Sequence, residues 1–148
     1  MKSDYVYIVE DDSITSYVIK VELQNHGSFD KSEVYNNGQI AYEQLSSSIQ
    51  NNKRVPDLIL LDINMPIMDG WEFLNAFSQL ENTDDISVVM LTSSINPVDL
   101  EKAKSYKAVK GFFSKPLTSD KLDEIKQINW SLFCDPYQII QSIPLEII

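Results

Sequence analysis

Residues 55–71 read VPDLILLDINMPIMDGW, and this stretch decides the fold. Pro56 and Asp57 open it, Leu58 to Leu61 form a four-residue apolar run, and Asp62 ends the run. A polar turn containing Pro66 and Gly70 follows. A short, unbroken apolar run bounded by turn signals is the pattern of a strand buried on both faces, as at the centre of a parallel sheet. Asp62 is then the residue at which the strand leaves the core. Open α/β sheets bind their ligands outside the carboxyl ends of the strands. A carboxylate at that point is either a solvated strand-end cap or a reactive group held on a rigid platform.

The flanking sequence repeats the strand pattern in alternation with helices. Residues 5–9 (YVYIV) are strand-like by composition, and Glu10, Asp11 and Asp12 end the run at once. Residues 13–25 show helical spacing with Ile14, Tyr17, Val18 and Val21 on one face, Asp12 or Ser13 available as N-cap and Gly27 as the stop signal. Residues 33–35 read as a short second strand, 36–38 as a turn, and 40–49 as a helix that loosens into the polar linker 50–54. After the central strand, residues 71–80 form a helix with Phe73, Leu74 and Phe77 inward. The run ISVVML at 86–91 is a fourth buried strand that exits into Thr92. Asn96 and Pro97 then supply an N-cap and a first-turn proline for a helix reaching about Tyr106. Residues 109–113 hold a fifth strand, followed by Lys115-Pro116. Thr118 or Ser119 caps a last helix with Leu122, Ile125 and Ile128 at helical spacing. Five such alternations imply parallel strands joined by crossovers. The expected fold is a three-layer α/β sandwich around a five-stranded parallel sheet of order 2-1-3-4-5, flavodoxin-like in architecture.

The composition is that of a globular domain. The chain has 148 residues, 43% of them hydrophobic, enough to bury roughly two-thirds of its unfolded surface. A net charge of −10 argues against nucleic acid as a direct partner, because phosphate contacts need Lys and Arg. Lys102, Lys104, Lys107 and Lys110 form a local basic cluster, either a solvated helix face or a docking surface. His26, the single histidine, is expected at the surface in a polar turn away from any site. Cys134 is the single cysteine, so an intrachain disulfide and a cysteine-based metal site are both excluded. The N-terminal segment has the wrong charge and too short an apolar run for a signal peptide or anchor. No stretch approaches the ~18 apolar residues of a spanning helix. These features lead to the expectation of a soluble, cytoplasmic protein that does not engage a membrane.

The carboxyl ends of the strands carry the chemistry. The first strand offers Glu10 and Asp11, the third Asp62, the fourth Thr92 and the fifth Lys115. With the expected strand order these groups converge on one crevice. At ~4 Å and an effective dielectric near 20, each pair of like charges costs on the order of 4 kcal/mol. A divalent cation relieves that repulsion, and a carboxylate-rich set without His or Cys suits Mg²⁺, with Mn²⁺ a second possibility. Lys115 can pair with Asp62 and then with a phosphoryl oxygen, while the Thr92 hydroxyl can bond another. Phosphoryl transfer needs mainly placement and charge neutralisation, and a carboxylate can act as its nucleophile.

With these residues in place, the chain resembles the receiver domain of two-component response regulators, of the chemotaxis-regulator type. The resemblance rests on the acid pair in VEDD, on LLDINMPIMDG, on the Thr after the fourth strand and on FFSKP, and it spans about residues 5–128. It implies that Asp62 accepts the phosphoryl group, aided by Thr92 and Lys115. It also implies that Glu10, Asp11, Asp62 and the Asn64 backbone carbonyl hold the metal, that Phe112 is the aromatic switch, and that the Lys115–Pro116 bond is cis. Phe112 stands where Tyr is commoner and lacks a hydroxyl, so switching there must be steric. The interval from Asp11 to Asp62 is a few residues longer than usual, an excess assigned to 46–54, away from the site. The donor histidine would come from a partner histidine kinase or phosphotransfer protein, and the output would be a changed protein-binding face. The chain would then be a phosphoacceptor signalling domain that catalyses only its own phosphorylation and slow dephosphorylation.

Residues 129–148 fall outside the alternating pattern and are expected to be an apolar tail instead of an output domain. Ile139, Ile140, Ile143, Leu145, Ile147 and Ile148 either pack back on the domain or form an interface, with a homodimer through the tail or the face around Phe112 as one form. Three rival classes fit less well. A Mg²⁺-dependent phosphatase would carry a D-x-D pattern after the first strand. A flavin-binding electron carrier would have a Ser/Thr/Gly-rich loop where Glu10 to Asp12 stand. A scaffold that is never phosphorylated would have no use for the full set of reactive groups.

Overall fold

The computed structural model of the chain describes residues 4–127. Five strands, β1 (Asp4–Val9), β2 (Phe29–Tyr35), β3 (Leu58–Asp62), β4 (Ser87–Thr92) and β5 (Val109–Ser114), alternate with five helices. The helices are α1 (Ser13–His26), α2 (Gly38–Gln50), α3 (Gly70–Phe77), α4 (Pro97–Lys104) and α5 (Ser119–Gln127). All strand pairs are parallel and the order is β2-β1-β3-β4-β5, as the sequence pattern predicts.

The pleat divides the strand side chains between two cores. Tyr7, Val9, Ile59, Leu61, Met90 and Phe112 point to one face, where Leu45 of α2, Phe73 and Phe77 of α3 and Ala103 of α4 cover them. Val6, Ile8, Leu60, Val89, Leu91 and Phe113 point to the other, beneath Ile19 and Leu23 of α1 and Leu122 and Ile125 of α5. Because both faces are dry, the strands need no polar alternation, and the near-continuous apolar runs follow from this.

Helix starts follow the expected capping chemistry. Asp12 caps α1 and Asn37 caps α2, accepting from the Thr15 and Ile40 amides respectively. Asp69 and Glu72 form a reciprocal capping box at α3, and Asn96 with Pro97 opens α4. Gly27 ends α1 with φ +80°, a conformation that costs glycine nothing.

The structure corrects several expectations. The apolar stripe expected to define α1 faces outward: Ile14 is 73% and Tyr17 69% exposed, while Ser16, Ile19 and Leu23 are buried. Both stripes obey helical spacing, so periodicity identifies the helix but leaves open which stripe the sheet covers. Strand β2 begins at Phe29 instead of residue 33, because it lies on an edge and its register against β1, from Asp4↔Phe29 to Val9↔Tyr35, is held by the backbone ladder. Helices α3 and α4 stop at Phe77 and Lys104, short of Leu80 and Tyr106. His26 is no surface residue. Its side chain is largely buried at the end of α1 and bonds Asp123 of α5 at 2.7 Å. Lys110 departs from the basic cluster, since it is buried in β5, whereas Lys102 lies over the Trp71 ring and Lys104 pairs with Glu101. Ile128, Cys134 and the apolar tail 129–148 lie outside the described residues.

Two measurements check these assignments. Leu23→Ala should cost about 2–5 kcal/mol in urea unfolding, whereas Ile14→Ala should stay within about 0.5 kcal/mol. Gly70 permits a close approach of backbones: a Cβ there would meet the Asp62 carbonyl oxygen at 2.6 Å. Gly70→Ala should therefore destabilise the fold by about 1–3 kcal/mol, and a neutral result would show that the loop yields.

Candidate functional site

The strand order carries the expected residues to one place. Register pairs Val9 with Leu61, Asp62 with Leu91 and Thr92 with Ser114, so β1, β3, β4 and β5 each end within one residue of their neighbour, along one edge of the sheet. Glu10 follows β1 directly, its amide bonding the Tyr35 carbonyl at 3.0 Å, and Lys115 follows β5, its amide bonding the Thr92 carbonyl at 2.7 Å. These backbone bonds fix the two ends of the crevice without any help from side chains.

Within it, Glu10, Asp11 and Asp62 each offer a carboxylate oxygen, and the three atoms lie within 4.8 Å of one another. Glu10 is 2% and Asp62 6% exposed, whereas Asp11 faces solvent. The Lys115 ammonium reaches both buried acids, at 2.5 Å from Glu10 Oε1 and 3.1 Å from Asp62 Oδ1. Burial, reinforced by the neighbouring Asp62 charge, pushes the Glu10 carboxyl up to about 7, even though Lys115 and the Asp12 amide pull it down. Lys115 behaves in the opposite sense. Burial disfavours its charge, but Glu10 and Asp62 together outweigh that and raise its pKa. Asp12 is committed elsewhere, because the Thr15 hydroxyl and amide hold its carboxyl below the usual range as the α1 cap.

These residues fit a divalent cation. Three acids confront the Lys115 ammonium, and Glu10 Oε1, fully buried, touches Lys115 but lies outside hydrogen-bond geometry with any donor among the described residues. An all-oxygen set of this kind, half-open to water through Asp11, suits Mg²⁺. Thr92 is buried beside them, and its hydroxyl donates to the Ser94 carbonyl at 2.9 Å. Phe112 is wholly buried three residues before Lys115, and the Lys115–Pro116 bond is cis. Asn64 is exposed in the loop that follows Asp62.

Sequence reasoning missed two contributions. The sequence pairs Lys115 with Asp62, and the structure adds a bridge from Lys115 to Glu10. Lys121, on the first turn of α5, donates to the carbonyls of Ser114 at 2.5 Å and Pro116 at 2.9 Å, clamping the loop that presents Lys115. The one signal for it was a lysine following the α5 cap, which is too common to single out.

Comparison with known proteins agrees with this geometry. The family model described as the response regulator receiver domain matches residues 6–127. The two-component response regulator ORR41 of Oryza sativa subsp. japonica is 31% identical over 81% of this chain and 89% of its own length. The protein named probable methanogenesis regulatory protein FilR2, of Methanothrix harundinacea, is 29% identical over 85% of this chain and 84% of its own. Among solved structures, a two-component response regulator from Cytophaga hutchinsonii superposes with a TM-score of 0.79 at 29% identity, covering 85% of this chain and 96% of that one. Members of this family are phosphoacceptor signalling modules served by a partner histidine kinase or phosphotransfer protein. Among the described residues no helix is long and apolar enough to cross a membrane. By its matched length, its sheet order and its acidic crevice, the chain belongs to the response regulator receiver domain family.

Proposed function

We propose that Asp62 is the phosphoacceptor, that Glu10, Asp11, Asp62 and the Asn64 carbonyl hold the cation, and that Thr92 and Lys115 receive the phosphoryl oxygens. The observation that carries this reading is the Lys115 ammonium seated 3.1 Å from Asp62, beside an acid cluster open to solvent on one side. A carboxylate oxygen of Asp62 attacks the donor phosphorus as the phosphorus–nitrogen bond to the partner imidazole breaks. The imidazole leaves with the bonding pair and takes up a proton from water. Bound in the crevice, Mg²⁺ supplies positive charge against the phosphoryl oxygens. Lys115 orients one of those oxygens, and burial of Asp62 keeps water from competing with the carboxylate.

Signalling would begin at Thr92. Its hydroxyl is held by the Ser94 carbonyl, so a phosphoryl oxygen on Asp62 competes for the same proton. Exchange of partners frees the loop 93–96 and the start of α4, and Phe112, packed behind them, repacks by size alone. Moving such an equilibrium from 1:99 to 99:1 takes about 5.5 kcal/mol of differential interaction, within reach of two charge-assisted bonds and metal ligation. The receiver unit spans residues 1–128 in this reading, acts in the cytoplasm and works by protein contact.

Three experiments test the assignment. Mg²⁺ at about a hundred times its Kd should stabilise the protein by about 2.7 kcal/mol in thermal unfolding, and Glu10→Gln or Asp62→Asn should remove most of that gain. Acetyl phosphate with Mg²⁺ should label the wild-type chain, and Asp62→Asn should cut the label by about a hundredfold or more. Thr92→Ala should keep the label but lose the change in hydrogen exchange over 93–104 that follows it. Full labelling of Asp62→Asn would displace the acceptor to another group.

A further inference from the structure

Lys121 stands where a helix disfavours a cation. It lies in the first turn of α5, whose unpaired amides carry the positive end of the helix dipole and favour an acid. The ammonium turns instead to the main chain of the preceding loop. It donates to the Ser114 carbonyl at 2.5 Å and the Pro116 carbonyl at 2.9 Å, with the Ser114 hydroxyl oxygen at 3.4 Å. Helical side chains lean toward the start of their own helix, which is the direction of this loop. A lysine ammonium has three donors, enough to serve every one of these oxygens.

The position of β5 in the sheet explains why the loop needs them. β5 is an edge strand, with β4 on one side and no strand on the other among the described residues. The Lys115 amide points inward, to the Thr92 carbonyl at 2.7 Å. The Ser114–Lys115 peptide is trans, so its carbonyl points the opposite way, off the open edge of the sheet. Pro116 has no N–H with which to continue the ladder. One bond thus ties Lys115 to β4 from the inside, and Lys121 holds the carbonyls before and after it from the outside.

We infer that Lys121 is a positioning residue for phosphoryl transfer, fixing the Lys115 backbone so that the Lys115 ammonium stays between Glu10 and Asp62. That ammonium stands 2.5 Å from Glu10 Oε1 and 3.1 Å from Asp62 Oδ1, at the end of a long flexible stem. Its placement is no firmer than the backbone from which the stem starts. Misplacing a group by about 1 Å can cost on the order of a hundredfold in rate. The hydrogen bonds of the Lys121 ammonium go to Ser114 and Pro116 and not to Glu10, Asp11 or Asp62. Its effect on transfer therefore runs through Lys115.

This inference rests on Lys115 as the residue that receives a phosphoryl oxygen, and a double-variant cycle separates the two. Wild-type chain, Lys121→Met, Lys115→Met and the double variant are labelled with phosphoimidazole and Mg²⁺ over a range of donor concentrations. Lys121→Met should lower the maximal rate by about tenfold and leave the donor KM and the Mg²⁺ Kd within about twofold. Lys115→Met should lower the rate by about a hundredfold. The double variant should match Lys115→Met within about twofold, because the clamp has no ammonium left to place. Lys121→Arg, which restores charge and donors, should recover most of the wild-type rate. Lys121→Gln, shorter and uncharged, should lose about threefold, and it closes the cycle if the methionine variant does not fold. A Lys121→Met rate within about twofold of wild type, or a double variant about tenfold slower than Lys115→Met, would overturn the positioning role. Wild-type labelling of Lys115→Met would instead overturn the reading of Lys115, and the role of Lys121 with it.

Discussion

The structure depends on electrostatic crowding at one end of a parallel sheet. Strand order brings Glu10, Asp11 and Asp62 together, and one ammonium, Lys115, reaches the two that are buried. A globular fold gains no stability from this arrangement. Buried carboxylates without enough counter-charge cost free energy, and burial accordingly drives the Glu10 carboxyl up to about 7. The residual negative charge is what makes the crevice receptive to a divalent cation and, with that cation, to a phosphoryl group.

The rest of the fold holds that crowding in place. Backbone hydrogen bonds from Glu10 to Tyr35 and from Lys115 to Thr92 set the ends of the crevice, and Gly70 lets α3 start against the Asp62 carbonyl. Lys121 grips the carbonyls on either side of Lys115. Two dry cores, one on each face of the sheet, keep the strands rigid beneath these loops. Function is thus concentrated in side chains that the hydrophobic pattern places but does not need. The lesson extends to Thr92, whose hydroxyl is tied to a loop carbonyl.

How much was legible in the sequence depends on the scale of the interaction. The sheet order, the five alternations and the convergence of Glu10, Asp62, Thr92 and Lys115 could be read because short apolar runs and turn residues report burial directly. The outward face of α1 could not, since Ile14, Tyr17 and Val18 make as good a helical stripe as Ile19 and Leu23, and only the sheet decides between them. Strand β2 looks short in the sequence because an edge strand draws its stability from the ladder and leaves little apolar signature. The burial of His26 against Asp123 and the reach of Lys121 are pairings between distant segments, and spacing along the chain carries no record of them.

The central claim is that one carboxylate, at the end of the middle strand, takes the phosphoryl group. The most direct measurement is peptide mass spectrometry after borohydride reduction of the phosphorylated protein, which converts an aspartyl phosphate to homoserine. The account predicts conversion at Asp62 and nowhere else. Conversion at Glu10, Asp11 or an acid outside the crevice, with Asp62 intact, would contradict it.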